Sequence, residues 1–513
     1  MTIRAFVIAF VFFMVLGLIS VLKRQPVTQA AAVRVARLLK TGPVLPNLDR
    51  ADDSAGAVPS TETSVEVTVH PETPGLAIAR QFLGFSYEAP VLAKDYFDVH
   101  NKELRRLLAN LGTGVLRFGG NSVEFTYWSR NGKVSVPHPK ARAVLTPQDL
   151  DRVFAFSKET GWPVMLGLNL GHYDPQMAAD EAAYAVKHGG SDLLALEIGN
   201  EPDLFMHNGL RAKTWDYADF HREFGAYLDA IRARTPDAPI SGPTTCCKAG
   251  LRWFPEFLAD EAPQLVMATF HNYPTYASPH LPRNSPRYPT IERLLSPELM
   301  NKVARKVHQL VQDSQAHHLP FRMAEANSNA YDGGVDGQGN VFGAALWGAD
   351  YCFTLAQQGA VGVNFHGGFP HVYFSPLGIS HGHYIAQPLY YGMLLFHSAT
   401  PGRFVPVAVH TQANVSAYGV LAGDGTLHLV LINKEGKTSV EVRIAGLASY
   451  QHASVLRLRG PGLSARTGIM FGGRSVSSNG SWSPGPAEQA TRVGEAFRLQ
   501  LPAASAALVN FNK

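Results

Sequence analysis

Cysteine is nearly absent from these 513 residues, with only 3 in the chain. Cys246 and Cys247 are adjacent and Cys352 is far away, so no disulfide framework can be built. None of the three stands in zinc-ligand spacing. The pair His317 and His318, and His381 with His383, lack the carboxylate context of a metal site and read as structural or surface residues. There is no phosphate loop and no GxSxG elbow, and the run from Gly337 to Gly343 misses the dinucleotide pattern by one residue. Charge is also scarce. A net +4 over this length excludes nucleic acid as a partner that charge alone would recruit. Neither a metal nor an organic cofactor is implied.

Gly, Pro, aromatics and apolar residues are plentiful, as in a globular chain able to bury a large core. From Ala5 to Leu22 the sequence is almost unbrokenly apolar, between Arg4 and the pair Lys23-Arg24. That length can span a bilayer and is long for a signal-peptide core, so residues 1–24 are read as an uncleaved membrane anchor. Cleavage near Ala30–Ala32 is the alternative. Basic residues on both sides leave the orientation open. Export of the domain that follows, to the periplasm or outside, is expected. Residues 25–62, rich in Ala, Pro, Asp and Ser without periodicity, read as a flexible tether.

Residues 63–80 open with an alternating strand, Ser64–His70, expected to join a later β-sheet. Strands and helices then alternate through residues 81–396. The expected strands are Phe82–Tyr87, Gly114–Phe118, Val164–Leu170, Leu193–Ile198, Ile240–Pro243, Met267–His271, Phe321–Ala324 and Val361–Phe365. Helices between them carry explicit punctuation: Thr146-Pro147 to Gly161, Asp174-Pro175 to Gly189, and a start at Ser296-Pro297. Tyr217, Phe220, Phe224, Leu228 and Ile231 form a core-facing stripe at helical spacing. This pattern predicts a (β/α)8 barrel. Residues 397–513 switch to period two, with strands such as Val415–Val420, Leu427–Ile432 and Ala507–Phe511, and predict an antiparallel β-sandwich. The Gly- and Ser-rich stretch Gly472–Pro486 reads as a surface loop.

Two of the expected barrel strands finish on a carboxylate. Glu201 follows the fourth, in the turn Gly199-Asn200-Glu201-Pro202, and Glu325 ends the seventh. Chemistry in such barrels is done at the carboxyl ends of the strands. A glutamate at a strand end is ordinarily an exposed loop residue. Here a turn, a side-chain amide and a rigid following proline argue for a fixed position. Glycosidic hydrolysis needs a proton for the leaving oxygen and a negative partner for the oxocarbenium-like carbon, which two carboxyls supply. Glu201 is expected to be the general acid and then base, Glu325 the nucleophile, and Asn200 a donor to a sugar hydroxyl.

The stretches Leu116–Asn121, Leu196–Asp203, Phe270–Pro274, Ala324–Ser328, Val363–Gly368 and Leu501–Val509 resemble glycoside hydrolase family 79, the β-glucuronidase and heparanase family within the clan A retaining glycosidases. The resemblance implies that Tyr273 hydrogen-bonds the nucleophile and that Glu88 contacts sugar hydroxyls. It implies a site for the glucuronate carboxylate at Tyr331, Gly333 and Gly334 and at His366, Gly367 and Tyr373. Arg117 is either a donor at the barrel mouth or a structural residue. The implied activity is double-displacement removal of terminal glucuronic or 4-O-methylglucuronic acid. With no dense Lys/Arg run in the barrel loops, exo action is expected over heparanase-like endo cleavage. Another clan A enzyme such as an arabinofuranosidase, a non-catalytic carbohydrate-binding protein and a membrane-tethered structural protein are the competing expectations.

Overall fold

The structure, a computed structural model, describes residues 63–134, 141–278, 281–286, 288–330, 333–369 and 372–513. The expected anchor and tether (residues 1–62) and Tyr331 lie outside the described residues. Among the described residues no helix is long and apolar enough to cross a membrane.

Eight parallel strands close into a barrel: β2 (Leu83–Glu88), β3 (Val115–Gly119), β4 (Val164–Leu168), β5 (Leu193–Ile198), β6 (Ile240–Thr245), β7 (Leu265–Asn272), β8 (Phe321–Ala326) and β9 (Gly362–Gly367). Each overlaps an expected strand. A helix follows each in turn: α1 (Lys102–Ala109), α2 (Pro147–Thr160), α3 (Pro175–Gly189), α4 (Tyr217–Arg234), α5 (Cys247–Glu261), α6 (Pro297–Ala316), α7 (Phe342–Gln357) and α8 (Pro388–Ser398). The helix starts are made as the sequence dictates. Asp174 accepts from the Met177 amide at 2.9 Å, Thr146 and Asp149 bond reciprocally, and Gly161 ends α2 in the left-handed conformation, φ +69°.

The first strand, β1 (Thr63–Val69), crosses over to the C-terminal domain. It pairs parallel with Val440–Ala445 and antiparallel with Val407–His410. A second antiparallel sheet, built around Val415–Leu421, Leu427–Asn433, Ser505–Asn512 and His452–Arg459, faces it across a core of Val65, Val67, Leu429, Leu431, Val442 and Phe497. The outer side of this second sheet packs on α7. There Tyr418 stacks on Phe353 at 4.8 Å, and the ammonium of Lys434 meets Asp350 at 2.7 Å, both side chains almost fully buried. Tyr418 donates to the other Asp350 oxygen at 2.6 Å.

The stretch Gly472–Pro486 is a mostly exposed surface loop, as expected, and it is pinned to its surroundings. Trp482 stacks on Phe471, the Val476 amide donates to the Tyr391 hydroxyl, and Asn110 on the barrel donates to the Gly480 carbonyl. Its tryptophan has apolar area to bury, which composition by itself does not reveal. A cavity of about 620 Å³ opens at the amino-terminal ends of the strands, between Arg80, Thr113, Leu194, Met267 and Arg322, at the opposite end from the strand-end carboxylates.

Candidate active site

Arg117, on β3, is the hub of the barrel mouth and is fully buried. A guanidinium has five donor hydrogens and no acceptor, and here five acceptors meet it. They are Glu197 Oε2 at 2.6 Å, Ser86 Oγ at 3.0 Å, Glu325 Oε2 at 2.8 Å, Asn200 Oδ1 at 2.9 Å and His271 Nε2 at 3.1 Å. One cation thus ties together strands β2, β3, β5, β7 and β8 and the turn after β5. Because arginine only donates, His271 Nε2 must accept. Its proton is therefore on Nδ1, which faces Glu201 Oε1 at 3.2 Å. Burial first and the Arg117 charge second push the His271 pKa down to about 4, so this ring is neutral near pH 7.

The other carboxylate is held differently. Glu325 Oε1 accepts from the Tyr273 hydroxyl at 2.7 Å, and its Oε2 lies 3.5 Å from His366 Nδ1. Burial acts upward on the Glu325 carboxyl. The His366 ring, the Arg117 charge and the Tyr273 hydroxyl outweigh it and hold the group well below the usual carboxylate range. Glu201 goes the opposite way: burial, then the charge of Glu325, push it up to about 8. One oxygen of Glu201, one of Glu325 and a ring nitrogen of His271 lie within 4.8 Å of one another. Of the two neighbouring carboxyls, one is therefore ionised and the other holds its proton. The contact between Arg117 and Glu325, and the proton on His271 Nδ1, oppose a cation at this cluster. Among the described residues the other cluster of possible metal donors is Asp203, Cys246 and Cys247.

Glu201 has φ +49° and ψ +53°, a left-handed conformation that costs a side-chain-bearing residue roughly 1–3 kcal/mol. Several contacts impose it. Gly199 precedes it at φ +79°, the Glu201 amide donates to the Thr244 carbonyl at 2.9 Å, and Thr244 Oγ1 donates to the Gly199 carbonyl at 3.1 Å. Beneath the turn lies Glu124, buried, which accepts the Asn200 amide at 2.6 Å on one oxygen and the Leu170 and Gly171 amides on the other. Asn200 spends its side chain inside the protein, accepting from Arg117 and donating to Asn121 Oδ1 at 3.2 Å.

Glu88 ends β2 beside the pair. It accepts from the Ser122 amide at 2.7 Å and lies 3.6 Å from His366 Nε2. Gly333 and Gly334, at φ +77° and +99°, lie against Val372 and Phe374, and a Cβ at Gly333 would come within 2.1 Å of Val372. Gly367 touches Ser375, and Tyr373 is 38% exposed. The ring of Phe374 joins this rim to the centre, 6.2 Å from the rings of both Tyr273 and His366. The structure therefore gathers Glu201, Glu325, Asn200, Tyr273, His366 and Glu88 into one network. Gly333, Gly334, Gly367 and Tyr373 stand on flanking loops, and no hydrogen bond to either carboxylate is described for them. Sequence reasoning missed Glu197, Ser86 and Glu124. A glutamate inside an otherwise apolar strand was the available signal for Glu197; none marked the other two.

The segment 417–508 matches the glycosyl hydrolase family 79 C-terminal beta domain. A β-glucuronidase from Aspergillus niger is 24% identical over 508 residues, covering 86% of this chain and 92% of its own. Both matches support a likeness to glycoside hydrolase family 79. In fold, the chain is similar to a 4-O-α-L-rhamnosyl-β-D-glucuronidase from Fusarium oxysporum, with a TM-score of 0.73 at 19% identity over 86% of this chain and 99% of that one. A family 51 arabinofuranosidase from Xanthomonas axonopodis shares the architecture with a TM-score of 0.65 at 15% identity over 88% of this chain and 100% of that one. Barrel and sandwich together therefore do not select the sugar.

Proposed function

We propose that the protein is a retaining exo-β-glucuronidase, with Glu325 as nucleophile and Glu201 as acid and then base. The observation that carries this is the approach of the two carboxyls within 4.8 Å at the carboxyl ends of β5 and β8, with opposite pKa displacements. Retaining enzymes keep their carboxyls about 5–5.5 Å apart, whereas inverting ones leave about 6.5–9.5 Å for a water. Glu325, ionised, attacks the anomeric carbon while Glu201 protonates the departing oxygen. Esterification removes the Glu325 charge that helps hold the Glu201 proton, so Glu201 then deprotonates the incoming water. Tyr273 and Arg117 steady the nucleophile and, as the glycosyl bond breaks, the carboxylate that returns. The β-glucuronidase relatives support a uronate at this site. The backbone amides at Gly333, Gly334 and Gly367, with Tyr331, Tyr373 and His366, are the groups we assign to its carboxylate, and Glu88 to its hydroxyls. The apolar run Ala5–Leu22 supports a membrane-tethered, exported catalytic domain, which fractionation of expressing cells would test.

The deciding assay compares nitrophenyl β-glucuronide with the corresponding β-glucoside and α-arabinofuranoside. Preference for the glucuronide is expected; preference for the arabinoside would overturn the substrate, and binding without turnover of any of them would make the chain a carbohydrate-binding protein.

A further inference from the structure

Adjacent side chains on an extended backbone point to opposite faces, so two neighbouring thiols do not ordinarily meet. At the end of β6 they do. Cys246 is extended, Cys247 takes φ +55°, and this turn brings their sulfurs to 2.7 Å, closer than two unbonded sulfurs rest. A left-handed conformation at a non-glycine residue asks for a reason, and closure of a ring between the two side chains is one. The surroundings fit that chemistry. Cys247 is exposed and begins helix α5; Cys246 is buried with its sulfur 3.9 Å from Asp203 Oδ2. The Asp203 carboxylate, from the turn after β5, also accepts the Cys246 and Gly250 amides, which fixes the base against the turn that carries both sulfurs.

We propose that Cys246 and Cys247 form a vicinal disulfide at the end of β6, closed by exchange with a small-molecule disulfide such as oxidised glutathione. The Cys247 thiolate attacks one sulfur of the oxidant, breaks its S–S bond and expels the first thiolate. Cys246 gives its proton to Asp203, attacks the Cys247 sulfur of the mixed disulfide and expels the second. Two electrons leave the protein, and the oxidant becomes two thiols.

The test uses full-length protein, exposed to oxidised glutathione or to a reductant, denatured in acid, alkylated and mapped by mass. The oxidised sample should yield a peptide containing Cys246 and Cys247 that is unalkylated and two hydrogens lighter than its reduced form, while Cys352 alkylates in both. Free thiols or a persistent glutathione adduct at these positions would overturn the proposal, whatever the enzyme acts on. In Cys247→Ser no such intramolecular loss of two hydrogens should appear under either treatment.

Discussion

Single residues decide the chemistry, and their surroundings fix when it runs. With the Glu201 carboxyl pushed up to about 8, its acid form persists through neutrality. Glu325, displaced downward, is ionised over the same range. The pH profile of kcat/KM should therefore be flat through neutrality and fall on the alkaline side near pH 8; a fall centred near pH 5 would assign the proton to another group. Glu201→Gln should lower kcat by about 10²–10⁴ on a substrate with a poor leaving group, and much less on a nitrophenyl glycoside that needs little protonation. Equal losses on both substrates would remove the acid role. Glu124→Gln keeps the shape of a side chain that no sugar touches, but offers one accepting oxygen where three amides call for two. A loss in kcat of roughly 10–100-fold with little change in KM is expected, the scale typical of groups that orient a functional shell. The carboxylate pair was legible in the sequence because each member ended a strand. Arg117 was left undecided and Glu197 unseen, since one sequence does not show which interior polar groups face each other.

At the level of elements, turn chemistry and period carried most of the information. Thr146-Pro147, Asp174-Pro175 and Ser296-Pro297 each open a helix at the expected residue, because a side-chain cap and a missing amide suit only a first turn. The eight barrel strands were readable as short apolar runs. Pairings between distant segments were harder. The early strand was expected in the sandwich, but its parallel register with Val440–Ala445 had no local signal, nor did the burial of Trp482 against Phe471. The buried pair of Lys434 and Asp350 links sandwich to barrel, and such pairs are costly to halve. Lys434→Ala should destabilise the protein by about 3–5 kcal/mol in denaturant melts, because it strands the Asp350 charge. A change below about 1 kcal/mol would mean that Tyr418 alone satisfies Asp350.

Across the whole molecule, several buried carboxyls share one direction of shift. Glu124 and Asp203 are pushed up to about 7, and Glu181 and Glu201 to about 8, burial being the first cause for each. In the unfolded chain these groups ionise near their ordinary values, about 3.9–4.3. Between roughly pH 4 and 8 the folded protein therefore holds more protons than the unfolded one, and stability falls as pH rises. Glu325 has the opposite sign, so its contribution is lost below about pH 4. The melting temperature should peak near pH 5 and be lower at pH 8.5; a higher value at pH 8.5 would contradict these burial assignments. Since α7 is covered by the sandwich through Tyr418 and Lys434, a chain cut after the barrel should aggregate rather than fold.

The central claim is that Glu325 attacks the sugar directly, with Glu201 too near to leave room for an inverting water. Proton NMR of the first product from a β-glucuronide, read before mutarotation, tests it most directly. The account predicts β-glucuronic acid as the initial anomer; α-glucuronic acid appearing first would contradict it.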